Sequence, residues 1–565
     1  MRDLLLRCVT LGLALLATAE LAQATVLSGT HTWSGVVRLE EDVYVPPGST
    51  LVVLPGTRVV FAPAPGTKTD PVFWNGDTEL AVAGSLTVRG TPDAPVIFEG
   101  EGQGSWGGLV AAPGGYVALE RVIVRRAQEA LLAVDAGCVL RAVRFEGVDH
   151  GLVLGPGARM DLEGLRVDGC RVGVLDLRDS SASRLTGVEV TGASDAAGLG
   201  AGGPPRQAEA TGTRSGGSTR TELVGEYTVE HSERWSGDVI VSGRVTVVPG
   251  AVLTLEAGTR VAFRKVDSDG DGLGEGELLV LGGIRSLGTA PAPVVFESAE
   301  AAPRAGDWDK VSLIASEDPD NRFRFTVFRH GVQALHAHFS RFVGEDCYFE
   351  GNLRAVQFQE SDGAQLVRCV FRANKQALRF RDSRASVTGC RFLNNLYAVH
   401  AFRCALEFAD NTLEGNVLGG FFAKESQVVF RGNRLSGNRD GARLKDPGSR
   451  AEIRGNRFES SVEDALSLSQ VDGVVEGNRF DGAGLDLVGV EDSGVVLRGN
   501  DFERAGRDAL HLKGATDVAA PANFWGTGEP AARIHDRQDD PGLGGVVWAP
   551  ALAGPPPLTL PLSDW

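Results

Sequence analysis

The second half of the chain repeats one short hydrophobic pattern at a nearly constant interval. In each repeat a small or polar residue is followed, two positions later, by a phenylalanine, a leucine or a tryptophan. The ten apolar positions are Phe328, Phe349, Phe371, Phe392, Leu413, Leu435, Phe458, Phe480, Phe502 and Trp525. Successive positions lie 21 to 23 residues apart. A fixed period in the twenties indicates a repeat architecture.

The repeat is built from strands. A second alternation with a period of two follows the first in each repeat, as in Val356-x-Phe358 and Leu466-x-Leu468. Clusters of glycine, asparagine and acidic residues, such as Glu414-Gly415-Asn416, separate the alternations. The alternations predict strands and the clusters predict turns. We therefore expect an all-β fold in which each coil of a parallel β-helix buries its apolar residue against the neighbouring coils.

An internal duplication predicts two modules. Trp235-Ser236-Gly237 matches Trp33-Ser34-Gly35 at an offset of 202 residues, and Trp308 later matches Trp106. The first copy also carries its own short ladder, at Val124, Phe145, Val167 and Val190. These observations predict a solenoid of two modules, each a stack of parallel coils.

The predicted boundaries follow from composition. The short module spans residues 25–193 and the long module, with a C-terminal cap, spans residues 222–550. Residues 194–221 are rich in Gly, Ala, Ser and Thr and have no apolar period, which predicts a flexible linker. Residues 551–565 begin with a proline-rich stretch and are predicted to be a disordered tail.

The N-terminal segment predicts export. Arginines flank an apolar run within residues 1–24, and Ala22-Gln23-Ala24 supplies a small-x-small cleavage site, so we predict a signal peptide. No later stretch is apolar enough to span a bilayer. We expect a protein of the periplasm or cell surface, or a secreted one, with no membrane span.

Composition excludes one class of partner. The formal net charge is −17, and 74 of the 565 residues are glycine. An acidic chain lacks the basic footprint that nucleic acid requires. Partners are therefore expected to be an acidic polysaccharide, bound through local basic residues, or another envelope protein.

The pattern resembles the right-handed parallel β-helix (pectin-lyase-like) superfamily, and within it the bacterial parallel β-helix repeat group that includes the NosD-like proteins. Asn523-Phe524-Trp525-Gly526 is similar to the closing segment of such proteins, which implies a C-terminal cap. The resemblance implies the fold. It implies no single function, since this fold carries lyases, hydrolases, epimerases, adhesins and scaffolds.

One loop predicts a calcium site. Asp267, Asp269 and Asp271 alternate ahead of Gly272, as in the first half of an EF-hand-type loop, and Glu275 occupies the ninth position. Alternate carboxylates can converge on a hard cation. The twelfth position is a leucine rather than the usual glutamate. We predict structural Ca²⁺ at these four acids; the alternative is a solvated acidic turn.

A basic stripe is predicted beside the apolar ladder. Residues that precede a ladder residue should point outward, and four of them are arginines: Arg391, Arg434, Arg457 and Arg479. They are candidate ligands for the carboxylates or sulfates of an acidic polysaccharide. Acidic residues follow the ladder on most rungs, so the alternative is a set of surface ion pairs.

Cysteines and aspartates also align on consecutive rungs. Cys347, Cys369 and Cys390 share one column and are interpreted as stacked buried thiols, with disulfides as the alternative. Three aspartates lie six residues after their ladder residues: Asp464, Asp486 and Asp508. They could share a metal or divide acid and base roles. Alternation instead turns Asp464 inward or places it at a turn, so turn capping is favoured.

No known catalytic set of the fold is present. The outward column that contains Arg379 and His511 has no carboxylate. We therefore predict an exported, non-catalytic scaffold, adhesion or carbohydrate-binding protein with calcium as a possible structural ion. The alternatives are a lyase, hydrolase or epimerase acting on acidic glycans, and a NosD-like accessory protein of metal-cofactor assembly.

Overall fold

A computed structural model gives the fold. It describes residues 25–62, 78–102, 106–148, 150–155, 157–170, 172–176, 187–191 and 220–557. The predicted signal peptide, positions 194–219 of the predicted linker and the last eight residues lie outside the described residues.

Almost all regular structure in the described residues is β-strand. The one helical turn found there is the 3₁₀ helix η1, Pro530–Arg533. In this part of the chain no helix combines the length and apolarity needed to cross a membrane. The predicted all-β class is confirmed, and the chain divides into two compact units.

The strands of the first unit are β1 (Thr25–Val26), β2 (Thr30–Trp33), β3 (Val36–Leu39), β4 (Val43–Val45), β5 (Thr50–Val53), β6 (Arg58–Phe61), β7 (Glu79–Val82), β8 (Ser85–Arg89), β9 (Val96–Gly100), β10 (Trp106–Ala111), β11 (Tyr116–Glu120), β12 (Val122–Arg125), β13 (Ala127–Ala133), β14 (Gly137–Glu146), β15 (His150–Leu154), β16 (Arg159–Asp168), β17 (Val172–Asp176) and β18 (Val188–Thr191). All their pairings are parallel, and the first sheet runs β1-β4-β7-β10-β13-β15-β17.

The strands of the second unit are β19 (Arg220–Val229), β20 (Glu233–Trp235), β21 (Asp238–Val247), β22 (Val252–Leu255), β23 (Arg260–Phe263), β24 (Glu277–Val280), β25 (Gly283–Leu287), β26 (Val294–Ser298), β27 (Trp308–Ile314), β28 (Arg322–Arg324), β29 (Thr326–Arg329), β30 (Gly331–His338), β31 (Val343–Glu345), β32 (Tyr348–Glu350), β33 (Arg354–Gln359), β34 (Asp362–Val367), β35 (Val370–Arg372), β36 (Gln376–Arg381), β37 (Arg384–Thr388), β38 (Arg391–Leu393), β39 (Tyr397–Phe402), β40 (Ala405–Ala409), β41 (Thr412–Glu414), β42 (Gly419–Lys424), β43 (Gln427–Arg431), β44 (Arg434–Ser436), β45 (Ala442–Arg454), β46 (Arg457–Ser461), β47 (Leu466–Glu476), β48 (Arg479–Ala483), β49 (Val488–Glu491), β50 (Val495–Arg498), β51 (Asp501–Phe502), β52 (Leu510–Leu512), β53 (Val518–Ala519), β54 (Ile534–His535) and β55 (Val546–Val547).

Strands of the second unit pair in parallel with the strand one coil later, which makes three faces. Face A carries the apolar ladder on β23, β26, β29, β32, β35, β38, β41, β44, β46, β48 and β51. Face B holds β24, β27, β30, β33, β36, β39, β42, β49, β52 and β54, with the first halves of β45 and β47. Face C holds the remaining column, from β20 and β22 to β53 and β55. The chain is a parallel β-helix repeat protein, as the period predicts.

The predicted ladder is the centre of the core. Phe349 stacks on Phe328 and on Phe371 with 4.8 Å between ring centroids in each case, and the planes differ by 3° and 4°. Trp525 closes this column on Phe502 at 4.8 Å. Aromatic pairs at this separation add to the stability of apolar burial, so each coil is stabilised by its neighbours.

Two asparagine columns line the turns inside the coils. One contains Asn411, Asn433, Asn456, Asn478, Asn500 and Asn523, and the other contains Asn352, Asn374, Asn395, Asn416 and Asn438. In each column the side-chain oxygen of one asparagine accepts hydrogen bonds from the backbone and the side chain of the asparagine one coil earlier. These bonds satisfy buried donors that the turns leave open.

A bulge on face B sets which side chains point outward there. The pairing of β27 with β30 shifts register between Lys310 and Val311. On the next rung Ala355 and Val356 are consecutive and both fully buried, so strict alternation is interrupted. Arg354, one residue earlier, therefore lies on the outer surface of face B.

Candidate functional site

The predicted calcium loop lies between β23 and β24. Carboxylate oxygens of Asp267, Asp269 and Asp271 come within 4.8 Å of one another, and Asp269 also accepts the backbone N–H of Asp271 at 3.1 Å. Glu275 is directed elsewhere, because its carboxylate binds the hydroxyl of Ser268 at 2.6 and 2.7 Å. The loop therefore brings together three of the four predicted acids.

The arginine stripe lies on the outer side of face A, and three of its members have acidic partners. Arg434 and Arg457 contact the two carboxylate oxygens of Glu459 at 2.9 and 3.0 Å. Arg479 lies 3.7 Å from Asp501. The two contacts with Glu459 are the surface ion pairs that the interleaved acids predict, and exposed pairs contribute little stability. Asp501, in contrast, is buried.

The outer surface of face B is a second, more buried polar surface. On the bulge column it carries Gln333, Arg354, Gln376, Tyr397, Gly419, Asp440, Asp464, Asp486 and Asp508. Three residues later in the chain on each rung, a second column carries His336, Gln357, Arg379, His400, Phe422, Arg443, Ser467, Gly489, His511 and His535. We call these two columns the face B surface. Its earlier rungs are basic and its later rungs are acidic.

Arg379 is the central residue of the basic part. Its side chain points outward, yet the residue is only 6% exposed. Its Nη2 has no hydrogen-bond partner among the described residues, and its guanidinium lies 5.2 Å from the ring centre of Phe402. Burial, together with the charge of Arg381, lowers the pKa of Arg379 to about 10. Among the described residues no carboxylate contacts this buried cation, and a buried unpaired charge is costly unless an anion binds.

Two rungs before Arg379, on the same two columns, other buried polar atoms also lack partners in the part of the chain that the structure describes. Both ring nitrogens of His336 and the Oε1 atom of Gln333 are buried without a hydrogen bond within the described part of the chain. Burial and the charge of Lys310 lower the pKa of His336 to about 3. Burial and the charges of Arg379 and Arg354 lower the pKa of His400 to about 3. Both histidines are therefore neutral at physiological pH, where they can donate and accept hydrogen bonds.

The acidic part is a row of aspartates on four consecutive rungs. Asp440 binds Arg443 at 3.1 Å, and burial raises the pKa of Asp440. Asp464 binds Lys513 at 3.0 Å, and the same ammonium lies 3.7 Å from Asp486. The carboxylates of this column are therefore paired with cations that lie outside it.

Asp486 is held by Arg507 of the next coil, and Asp508 is held by His511 of its own coil. Arg507 binds both oxygens of the fully buried Asp486, at 2.9 and 2.5 Å. Nδ1 of His511 lies 2.9 Å from Asp508 and 3.7 Å from Asp486. The ring of His511 stacks on that of His535 at 4.4 Å.

Small residues in the central column make room for an ion pair beside this row. Between Arg443 and His511 the central column carries only Ser467 and Gly489. A Cβ atom on Gly489 would lie 2.9 Å from Nζ of Lys513 and 3.4 Å from an oxygen of Asp464. The absence of a side chain at Gly489 therefore makes room for the Asp464–Lys513 ion pair.

The sequence predicted that Asp464 points inward or sits at a turn, with turn capping favoured. The inward alternative followed from strict alternation, because Leu466 is a core residue. In the structure Ala465 and Leu466 are both fully buried, so the bulge places Asp464 on the outer surface. One of its oxygens still accepts the backbone N–H of Asp486 at 3.2 Å, as turn capping predicts. The alignment of alanine or glycine ahead of the core residue on successive rungs was the signal for the bulge.

Comparisons with known proteins identify the fold. Residues 381–523 match the family described as right handed beta helix region, and this match lies within the second unit. No curated protein matches the chain. Among solved structures the chain is similar to native GH136 lacto-N-biosidase from Eubacterium ramulus at 9% identity, over 81% of this chain and 62% of that chain, with a TM-score of 0.11. That similarity supports no conclusion about activity.

Proposed function

We propose that this parallel β-helix repeat protein is an exported binding protein for an acidic polysaccharide, which lies along the face B surface. The observation that carries the proposal is Arg379, a buried guanidinium with an unpartnered Nη2. A carboxylate or sulfate group of a ligand would supply the missing acceptor and offset the cost of the buried charge. The predicted signal peptide supports a site of action outside the cytoplasm.

The unpartnered atoms of Gln333 and His336 indicate that the ligand carries more than an acidic group. Oε1 of Gln333 can only accept, so it needs a donor such as a hydroxyl group. Neutral His336 can bind one donor and one acceptor. A ligand that satisfies Arg379, Gln333 and His336 together carries both acidic groups and hydroxyls, which is the chemistry of an acidic sugar.

Aromatic rings flank the same rungs. Tyr397 and Phe422 pack on His400 with ring centroids 4.8 and 5.3 Å apart. Phe402 contacts Phe422 at 5.8 Å. Binding sites for small hydroxylated ligands combine apolar rings with a few placed polar groups, and this part of the face B surface has both.

The stacking of coils favours a linear ligand. Equivalent side chains recur at each rung, about 4.8 Å apart, so an extended chain that follows the helix axis meets the same columns repeatedly. Face A offers a similar repeat, but Arg434 and Arg457 there already share Glu459. The guanidinium of Arg379 has no such competitor in contact within the described residues.

A matched pair of variants tests the proposal. Arg379→Met removes the buried charge on face B, and Arg434→Met removes an exposed charge on face A. We expect Arg379→Met to weaken binding of a polyuronate by about tenfold or more, as expected for loss of one charge-assisted hydrogen bond, and Arg434→Met to leave it nearly unchanged. Binding is measured calorimetrically at low and high salt.

The two outcomes separate the faces. Loss of affinity only in Arg434→Met would assign binding to the arginine stripe and reject the face B proposal. Wild-type protein that binds no acidic polysaccharide from a panel of uronates and sulfated glycans would reject both. A neutral glucan serves as the ligand control.

The row of aspartates favours a second candidate, cleavage of the bound glycan. Glycoside hydrolysis uses two carboxylates, about 5 to 5.5 Å apart in retaining enzymes and about 6.5 to 9.5 Å apart in inverting ones. At about 4.8 Å per rung, Asp464 and Asp486 approach the first spacing. Asp464 and Asp508, two rungs apart, approach the second.

New reducing ends or unsaturated products from the glycans that bind would establish this second function. Asp486→Asn should then abolish turnover while binding persists. Asp481→Asn, on face A and paired with Arg504 at 2.8 Å, is the control that should retain it. If wild-type protein binds the glycans but forms no product, cleavage is rejected and only the binding function is supported.

A further inference from the structure

The acidic end of the face B surface brings two histidines and a carboxylate together. Asp508 and His511 lie on the same coil, and His535 is the register partner of His511 on the neighbouring strand. One ligand atom from each of the three side chains lies within 4.8 Å of the other two. All three residues are partly exposed, so an ion from solvent can reach them.

We propose that Asp508, His511 and His535 form a binding site for a divalent transition-metal ion. Metal ligands held at about 2.1 Å from an ion are roughly 3 to 4 Å apart. Nδ1 of His511 and Oδ2 of Asp508 are already 2.9 Å apart. Stacked strands fix His535 beside them, so a small adjustment of three side chains completes the set.

The donor types select the class of metal. Two imidazoles and one carboxylate suit zinc, manganese, iron, nickel or copper ions, whereas calcium and magnesium prefer oxygen ligands. This site therefore differs in chemistry from the predicted all-oxygen calcium loop at Asp267, Asp269 and Asp271. With three protein ligands, further coordination positions remain open to water or to a bound sugar, as at catalytic zinc sites.

The surrounding charges are compatible with a cation. Three carboxylates, Asp464, Asp486 and Asp508, face the two cations Arg507 and Lys513 in this cluster. Arg507 binds Asp486 with two short contacts and lies farther, at 3.5 Å, from Asp508. Asp508 is therefore the carboxylate most available to the ion.

Asp536, the residue after His535, positions the backbone rather than the ion. Asp536 accepts the backbone N–H groups of Gln538 and Val546 at 2.9 Å each. These bonds anchor the loop that follows β54. Because the loop holds the end of this strand, it also fixes the position of His535 relative to His511.

Zinc titration of the chelator-treated full chain tests the proposal. An excess of calcium is present throughout, so that the loop with Asp267, Asp269 and Asp271 does not contribute to the measured zinc binding. We expect a saturable Zn²⁺ site in wild-type protein that is weakened about 10- to 100-fold or more in His535→Gln, since altering even a residue that supports a metal ligand costs this much. His338→Gln, which changes a histidine next to Glu360 outside the cluster, should bind as wild type does.

A wild-type measurement covers the case in which His535→Gln does not fold. In protein labelled with ¹⁵N-histidine, Zn²⁺ should shift the ring nitrogen signals of two of the nine histidines. Absence of Zn²⁺ binding in wild-type protein, equal weakening in His535→Gln and His338→Gln, or shifts at other histidines only would overturn the proposal.

Discussion

Asn395 and Asn416 lie one above the other in consecutive coils and share a pair of hydrogen bonds. Nδ2 of Asn395 donates to Oδ1 of Asn416 at 3.0 Å, and the backbone N–H of Asn395 donates to the same oxygen at 3.1 Å. The second hydrogen of Nδ2 reaches the carbonyl of Phe371 at 3.0 Å. Asn374 repeats the arrangement toward Asn395 one coil earlier. Every donor of the buried amide is therefore satisfied.

Asn395→Ala should destabilise the second unit markedly. The substitution leaves the backbone N–H and one of the two side-chain amide hydrogens of Asn374 without acceptors in a buried turn, while the other amide hydrogen keeps the carbonyl of Phe349. A buried unsatisfied group costs about 1 to 3 kcal/mol, so we expect a loss of about 3 kcal/mol in the free energy of unfolding. Urea unfolding gives the total, and amide hydrogen exchange should show faster opening near residues 374–395.

Gln427→Ala is the matched control for this prediction. Gln427 carries the same kind of side chain in an exposed position on face C. Its truncation should change stability by less than about 0.5 kcal/mol. Similar losses in the two variants would mean that the asparagine column contributes little beyond ordinary side-chain contacts.

Calcium should stabilise the protein through the loop between β23 and β24. Asp267 and Asp269 are exposed and approach Asp271, so they repel each other when no cation is bound. A ligand at 100 times its Kd adds about 2.7 kcal/mol to folding. We expect millimolar Ca²⁺ to raise the melting temperature of wild-type protein and to have little effect on Asp269→Asn.

Asp93→Asn, which removes an exposed acid elsewhere, controls for general charge screening. A calcium response that persists in Asp269→Asn would leave this loop as a solvated acidic turn. Since Glu275 is occupied by Ser268, Glu275→Gln should weaken calcium binding less than Asp269→Asn does.

The fold was predictable because its signal is periodic. A residue such as Phe371 repeats at nearly constant spacing, and burial of each ring on the next is the dominant favourable energy term of the solenoid. The column from Asn352 to Asn438 has the same period in the sequence, so it could have been found in the same way. Periodicity of this kind can be detected in the sequence without knowledge of the three-dimensional contacts.

The face B surface was not predictable to the same degree. A single inserted residue reverses which positions face outward, so alternation alone could not decide whether Asp464 points inward or lies at a turn. The partners of Asp464 and Asp486, namely Lys513 and Arg507, come from later coils. Their contacts form because long side chains extend from one coil to another, and the spacing of residues in the sequence does not predict such contacts.

The cysteines of the described residues should behave as inert buried thiols. Cys138, Cys170, Cys347, Cys369, Cys390 and Cys404 are all free and buried. Burial raises the pKa of Cys138 to about 12 and that of Cys404 to about 11, so neither is a thiolate at neutral pH. Because the thiolate is the reactive form, a disulfide reagent at pH 8 should label these residues only after unfolding.

Reduction provides the complementary test of the thiols. In the stacked column Sγ of Cys347 donates to the carbonyl of Phe323 at 3.3 Å, and Sγ of Cys390 donates to that of Leu366 at 3.5 Å. A reducing agent should therefore leave the melting temperature unchanged. A lower melting temperature after reduction would show that a disulfide forms in the folded protein.

His400 should make the protein sensitive to acid. Its folded-state pKa is about 3, lowered by burial and by the charges of Arg379 and Arg354, whereas an unfolded histidine has a pKa near 6.5. As pH falls below about 6.5 the unfolded chain binds the proton first, so stability decreases with falling pH until the folded pKa is reached. The loss between pH 6.5 and pH 5 is roughly 2 kcal/mol for this group.

The variant His400→Asn should remove that part of the pH dependence. Asparagine cannot titrate in this range, and its side-chain oxygen can take over the contact that Nδ1 of His400 makes with Gln376 at 3.0 Å. Urea unfolding at pH 6.5 and pH 5 should show a smaller stability difference in His400→Asn than in wild-type protein, while the exposed His231→Asn should match wild type. His336, whose folded pKa is also about 3, accounts for the pH dependence of stability that remains in His400→Asn. An unchanged slope in His400→Asn would mean that His400 is solvated and can be protonated in the folded protein, which would also remove the basis for treating its neighbourhood as a desolvated ligand site.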